Sequence, residues 1–92
     1  MFIAPFFCIN MSCTVYILHS KKLNRYYVGQ TSMSIVIRLQ YHLTQHRGYT
    51  SKAKDWVVVH SQSCNTRTEA VQLERKIKKR GAYRFIQDIN KG

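Results

Sequence analysis

Apolar positions along the chain form three dense blocks and two helical stripes. Residues 14–20, TVYILHS, combine β-branched, aromatic and aliphatic side chains, the composition of a buried or half-buried strand. Residues 21–25, KKLNR, have turn composition, with Asn24 as the residue that tolerates left-handed backbone. Residues 26–31, YYVGQT, predict a second strand, antiparallel to the first across that turn. Gly29 near its end predicts a bulge, a tight turn or a close backbone approach. Ser34 then N-caps a predicted helix to about His46. Along it Ile35, Leu39, His42 and His46, with Leu43 beside them, trace one stripe. Arg38 stands one turn after Ile35 and one before His42, while the β-branched start Ile35-Val36-Ile37 works against the helix. Residues 47–55, RGYTSKAKD, are a loop. Residues 56–61, WVVVHS, predict a third strand, apolar enough without interruption to be the central one.

After a polar link over 62–65 comes a helix over 66–80, TRTEAVQLERKIKKR. Thr66 is its N-cap and Glu69, three residues on, completes a capping box. Ala70, Leu73 and Ile77 recur at the spacing of one buried face. Gly81 ends or kinks the helix, and 83–89 offers Phe85, Ile86 and Ile89 for a short last helix. The order β-β-α-β-α-α predicts an α+β fold, a small three-stranded antiparallel sheet flanked by helices.

Ninety-two residues suit one domain with a modest core. We divide the chain into an N-terminal extension over 1–13 and a single domain over 14–92; Met11 is a candidate start codon. The formal net charge of +11, fifteen Lys and Arg against four acids, favours a polyanionic partner, nucleic acid before an anionic membrane surface. Cys8, Cys13 and Cys64 form no Cys-x-x-Cys pair, which argues against a disulfide framework or a structural zinc site and fits a reducing cytoplasm. The longest apolar run, 2–9, is too short to span a membrane and contains Pro5, and it lacks the basic flank of a secretory signal.

Glu74 breaks the apolar face of the 66–80 helix, between Leu73 and Ile77. A buried carboxylate without a partner is strongly disfavoured, so Glu74 calls for a cation, strong donors or a metal. Around it Arg75, Lys76, Lys78, Lys79 and Arg80 make the helix basic. On these residues alone, a salt bridge to Arg38 and a metal ion are both open for Glu74, and the two can alternate. Tyr16 and Tyr27 alone read equally as strand packing residues.

Taken in order, Val15-Tyr16-Ile17, Tyr27-Val28-Gly29, Arg38-Leu39-x-x-His42 and Glu69-Ala70-x-x-x-Glu74-x-x-Ile77-Lys78 resemble the motifs of the GIY-YIG nuclease domain over about residues 14–89. The closest likeness is to short standalone bacterial members of the UvrC-like or endonuclease-like kind. Thr14 stands where the family has the first motif's glycine, and Val28 where it has isoleucine. The resemblance implies a DNA endonuclease that hydrolyses a phosphodiester with one divalent ion, Mg²⁺ or Mn²⁺, held by Glu74. It implies that Tyr16, Tyr27 and Arg38 surround the scissile phosphate.

The residue chemistry fits that reading. Phosphodiester hydrolysis needs a hard-oxygen ligand, a cation for the developing charge and a base for water. Of the four acids, Glu69 is committed to a cap, Asp55 lies in a basic loop and Asp88 near the end, leaving Glu74 as the metal ligand. Arg38 is the candidate for the transition-state charge, and Tyr27 for a phosphate hydrogen bond. Tyr16 orients or deprotonates water, which requires positive charge to lower its pKa, and His42 is an alternative proton shuttle. Lys52, Lys54, Arg75, Lys78 and Lys79 are candidates for the DNA backbone, and Gly29 is structural near the site. Repair or recombination of branched or damaged DNA, alone, as a homodimer or with a partner protein, is the expected setting. The competing reading is a non-catalytic basic nucleic-acid-binding module, and a third is an RNA binder whose tyrosines stack on bases.

Overall fold

The computed structural model describes residues 12–44 and 48–91. They form β1 (Cys13–Ser20), β2 (Arg25–Thr31), α1 (Ile35–Thr44), β3 (Val57–Cys64), α2 (Arg67–Arg80) and α3 (Ala82–Lys91). The order and the α+β class are those predicted, and the sheet is antiparallel throughout. Asn24 takes the left-handed conformation, φ 52°, that closes the β1–β2 hairpin. The expected end of α1 at His46 lies outside the described residues.

Strand order corrects one expectation. The sheet runs β2-β1-β3, so β1 is central and β3 is an edge. Val57, Val58 and Val59 are all exposed, whereas Val15, Tyr16, Ile17 and Leu18 are buried on both faces. A run of valines satisfies the backbone preference of any strand; only layers on both sides make a strand central. β3 also runs on through the predicted polar link, pairing Gln62 with Val15 and Cys64 with Cys13. An edge strand accepts such polar residues because one side of it faces water. The β1–β2 ladder keeps its register through Gly29, and the register shift of the sheet lies in the β1–β3 ladder, between Ile17 and Leu18. Trp56 precedes β3 and is core, with its indole Nε1 donating to Thr50 O at 2.9 Å.

The alternation of β1 divides the core in two. Val15 and Ile17 face α2 and α3, packing with Val28, Ala70, Ile77 and the half-buried Phe85 and Ile86. Tyr16 and Leu18 face the other way, onto Trp56, Ala53 and the α1 stripe Ile35, Leu39 and Leu43. The helices therefore sandwich the sheet. α2 is capped as the sequence predicts, Thr66 Oγ1 accepting from Glu69 N at 3.2 Å, but the Glu69 carboxylate reaches Asn65 N (3.0 Å), one residue before the cap. Gly81, φ 95°, ends α2 with its N–H on Ile77 O. Asp55 ties the hairpin down, accepting from Ser20 Oγ (2.6 Å) and Lys22 N (2.8 Å).

Candidate active site

Three of the predicted residues meet at one atom. The Tyr16 side chain is fully buried, and its hydroxyl oxygen lies 2.8 Å from His42 Nε2 while accepting from Arg38 Nε–H at 3.2 Å. Alternation of the central strand points Tyr16 at α1, and the four-residue spacing of Arg38 and His42 puts both on one face of that helix. His42 is buried as well, with Nδ1 2.9 Å from Thr50 Oγ1.

Arg38 uses one lone pair of the phenol, and the His42 tautomer with its proton on Nδ1, toward Thr50, leaves Nε2 free to accept the phenol's own proton. Burial, and then the Arg38 charge, hold His42 below the usual histidine pKa, so it is neutral at physiological pH. Burial also raises Tyr16 above the phenol's ordinary value, outweighing the opposing hydrogen bond and charge of Arg38. Arg38 does lower the Tyr16 pKa, as a nearby cation should, but desolvation of a buried phenolate is the larger effect and the net shift is upward. Tyr16 is therefore a neutral phenol in hydrogen-bond contact with a neutral imidazole. Arg38 is held in its charged form by that same hydrogen bond and lies 4.9 Å over the Tyr41 ring.

Tyr27 flanks this group, its ring centroid 5.0 Å from that of His42 and 6.4 Å from that of Tyr16. Gly29 lies directly across the ladder from Tyr16. A Cβ at Gly29 would fall 2.7 Å from the Tyr16 hydroxyl, so of the three roles its sequence allowed, close approach is the one it has.

Glu74 arrives from the other layer. Its Oε1 accepts from Gln30 Nε2 at 3.1 Å and its Oε2 pairs with Lys78 Nζ at 2.6 Å, so Lys78 and Gln30 take the place expected for Arg38. Lys78 sits one turn along the same helix and needs no tertiary approach to reach Glu74, whereas Arg38 is spent on Tyr16. Glu74 still contributes to raising the Tyr16 pKa, so the two halves of the site share one electrostatic neighbourhood around β2.

The oxygens here suit a hard divalent ion. Glu74 supplies a carboxylate, and Gln30, which donates Nε2 to it, carries an Oε1 that is buried without a hydrogen-bond partner. Among the described residues no three His, Cys, Asp or Glu cluster, so an ion at Glu74 would have a single carboxylate, with water and phosphate completing its shell.

The predicted backbone contacts scatter more widely. Arg75 and Lys79 are exposed on α2; Lys78 is engaged with Glu74. Lys52 Nζ lies 5.2 Å over the Tyr49 ring, and Lys54 is exposed nearby in the chain. Arg80 is held by Asp88 in a two-pronged ion pair at 2.9 and 3.0 Å. Three site residues escaped the sequence: Thr50, Gln30 and Tyr49. Thr50 and Tyr49 lie in a short 3₁₀ turn, Tyr49–Lys52, inside a segment read as plain loop. Gln30 could have been found, because period-two alternation after Tyr27 and Gly29 turns it toward α2.

A family model described as the GIY-YIG catalytic domain matches residues 12–85. No curated protein and no solved structure matches the chain. Among the described residues no helix is long and apolar enough to cross a membrane.

Proposed function

The chain belongs to the GIY-YIG catalytic domain family, whose activity is of the nuclease type, and from that premise we propose that it is a divalent-metal-dependent DNA endonuclease with a one-metal site at Glu74. The observation that carries this reading is the Tyr16 hydroxyl held between Arg38 and neutral His42, beside a layer that offers one carboxylate. A bound Mg²⁺ or Mn²⁺ would supply Lewis-acid polarisation of the phosphate and displace Lys78 from Glu74.

The chain's own residues account for the proton and the charge. Tyr16 orients the attacking water and takes its proton as it passes its own to His42 Nε2, which spares the site a free buried phenolate. Thr50 holds the Nδ1–H of His42 and so keeps Nε2 open as acceptor. Arg38 has guanidinium N–H groups beyond the one on Tyr16, and these face the developing phosphorane charge. Tyr27 hydrogen-bonds the phosphate, and the cations Lys52, Lys54, Arg75 and Lys79 hold the backbone on either side. One site cuts one strand, so a double-strand break needs a second chain or a partner protein. The unbonded thiols Cys13 and Cys64 suit a reducing cytoplasm, and repair or recombination of branched or damaged DNA is the proposed setting.

The test is nicking of plasmid and branched DNA by the purified protein in Mg²⁺, Mn²⁺ or EDTA, beside Glu74→Ala. Metal-dependent nicking that disappears in the variant, with DNA binding kept, is the expected result. Equal residual nicking by both proteins, or binding without cleavage in any metal, would sink the proposal, and the second outcome would favour a non-catalytic binding module.

A further inference from the structure

Four tyrosines that no catalytic step needs together converge on the outer edge of β2. β2 borders the sheet, so its adjacent residues Tyr26 and Tyr27 project to opposite faces of a free edge. On one face the Tyr27 ring lies nearly parallel to Tyr49, at 18° with centroids 6.4 Å apart. On the other, Tyr26 is 6.4 Å from Tyr83. Tyr49 is 40% exposed and Tyr83 59%, large aromatic surfaces left in water. The four rings line one groove of about 610 Å³ together with Lys78 and Arg84.

The chemistry of this lining selects its ligand. Apolar ligands have no use for two cations, and an acidic peptide has no use for four aromatic faces. An unpaired nucleotide uses both, presenting a π face on each base and a charge on each phosphate. Paired bases spend their faces on their own stack, so a duplex cannot occupy the groove in this way. The groove also joins the two halves of the active site. Tyr27 rests on the His42 ring at 5.0 Å, and Lys78 is 2.6 Å from Glu74. A strand lying in it is continuous with one held at Tyr16 and Arg38.

We propose that the tyrosine groove over the β2 edge is a stacking subsite for unpaired nucleotides, and that the substrate is DNA carrying a single-stranded arm next to the scissile phosphate. The catalytic half of this statement rests on the nuclease reading above; the binding half does not.

The experiment measures binding in EDTA, so that cleavage plays no part. Wild type, Tyr83→Ala, Tyr83→Phe and Tyr49→Ala are titrated into a plain duplex and into the same duplex with a single-stranded arm containing 2-aminopurine. Wild type should prefer the armed duplex and quench the 2-aminopurine. Each alanine variant should lower the armed-to-plain affinity ratio about five- to a hundredfold, the worth of one stacked base, and relieve the quenching, while Tyr83→Phe keeps both. Equal affinity of wild type for the two DNAs, an alanine series with the wild-type ratio, or a phenylalanine variant as weak as the alanine one would each overturn the proposal. Cleavage by the same wild-type protein in Mg²⁺ separates the two readings. Tyrosine-dependent preference without cleavage retires the nuclease and keeps the groove; cleavage without preference does the reverse.

Discussion

The hydroxyl of Tyr16 lies 2.8 Å from Nε2 of His42, twenty-six residues away, and both side chains are buried. Because burial raises the phenol's pKa and lowers the imidazole's, neither group carries charge at neutral pH. The pair is a buried hydrogen bond between neutral groups and not an ion pair.

A pH dependence follows with a definite sign. If His42 Nε2 is the final acceptor, cleavage requires the neutral ring, so activity should fall on acidification through a pKa below the usual 6.5. Stability should move the same way. A folded-state pKa below the unfolded one means that the unfolded chain binds the proton more readily, so the contribution is present above 6.5 and is lost as pH falls through the folded value. His42→Ala should reduce kcat by about 10²- to 10⁴-fold and remove the acid limb from the rate profile. A variant that keeps the wild-type acid limb would assign that limb to another group.

Gly29→Ala tests the close approach. A methyl placed 2.7 Å from the Tyr16 hydroxyl and 2.8 Å from its ring carbon must push the ring off His42 and Arg38. The chain should lose about 1–3 kcal/mol in urea unfolding, as overpacked cores do, with cleavage falling more steeply than the fraction folded. An alanine variant with wild-type stability and activity would show that the ring has room to move.

In the proposed one-metal site Lys78 would compete with the ion for Glu74. Lys78→Met removes the 2.6 Å partner from Glu74 Oε2, and because the Lys78 side chain is 57% exposed the effect is modest. The Mn²⁺ or Mg²⁺ concentration for half-maximal cleavage should fall about two- to fivefold, the range of an exposed ion pair. A rise in that concentration would mean that Lys78 assists the ion's site in place of opposing it.

Lys79 lies exposed on α2, and its proposed contact with DNA is testable through salt dependence. Lys79→Ala should make the log–log slope of duplex affinity against salt shallower by about 0.9, the share of one phosphate. An unchanged slope would take Lys79 off the DNA-facing side.

The sequence alone determined the type and order of the strands and α-helices, because each rests on local chemistry. A β-rich block, an Asn24 turn, a Thr66 cap with Glu69 behind it and a Gly81 stop are all settled within a few residues of chain. Tyr16, Arg38 and His42 were picked out by their resemblance to the family's motifs, and strand alternation with a four-residue helical spacing is why they meet in one layer. What the sequence could not determine was which strand lies in the middle. The valines of β3 are as apolar as the residues of β1, and only the packing of helices on both faces of β1 makes that strand central. The partner of Glu74 was likewise decided in three dimensions: Arg38 was the expected cation, but it is consumed by Tyr16, and Glu74 binds Gln30 and Lys78. The sign of the Tyr16 shift was decided there too, because charge can be counted along a sequence, whereas the depth at which a phenol is buried depends on every layer that closes over it.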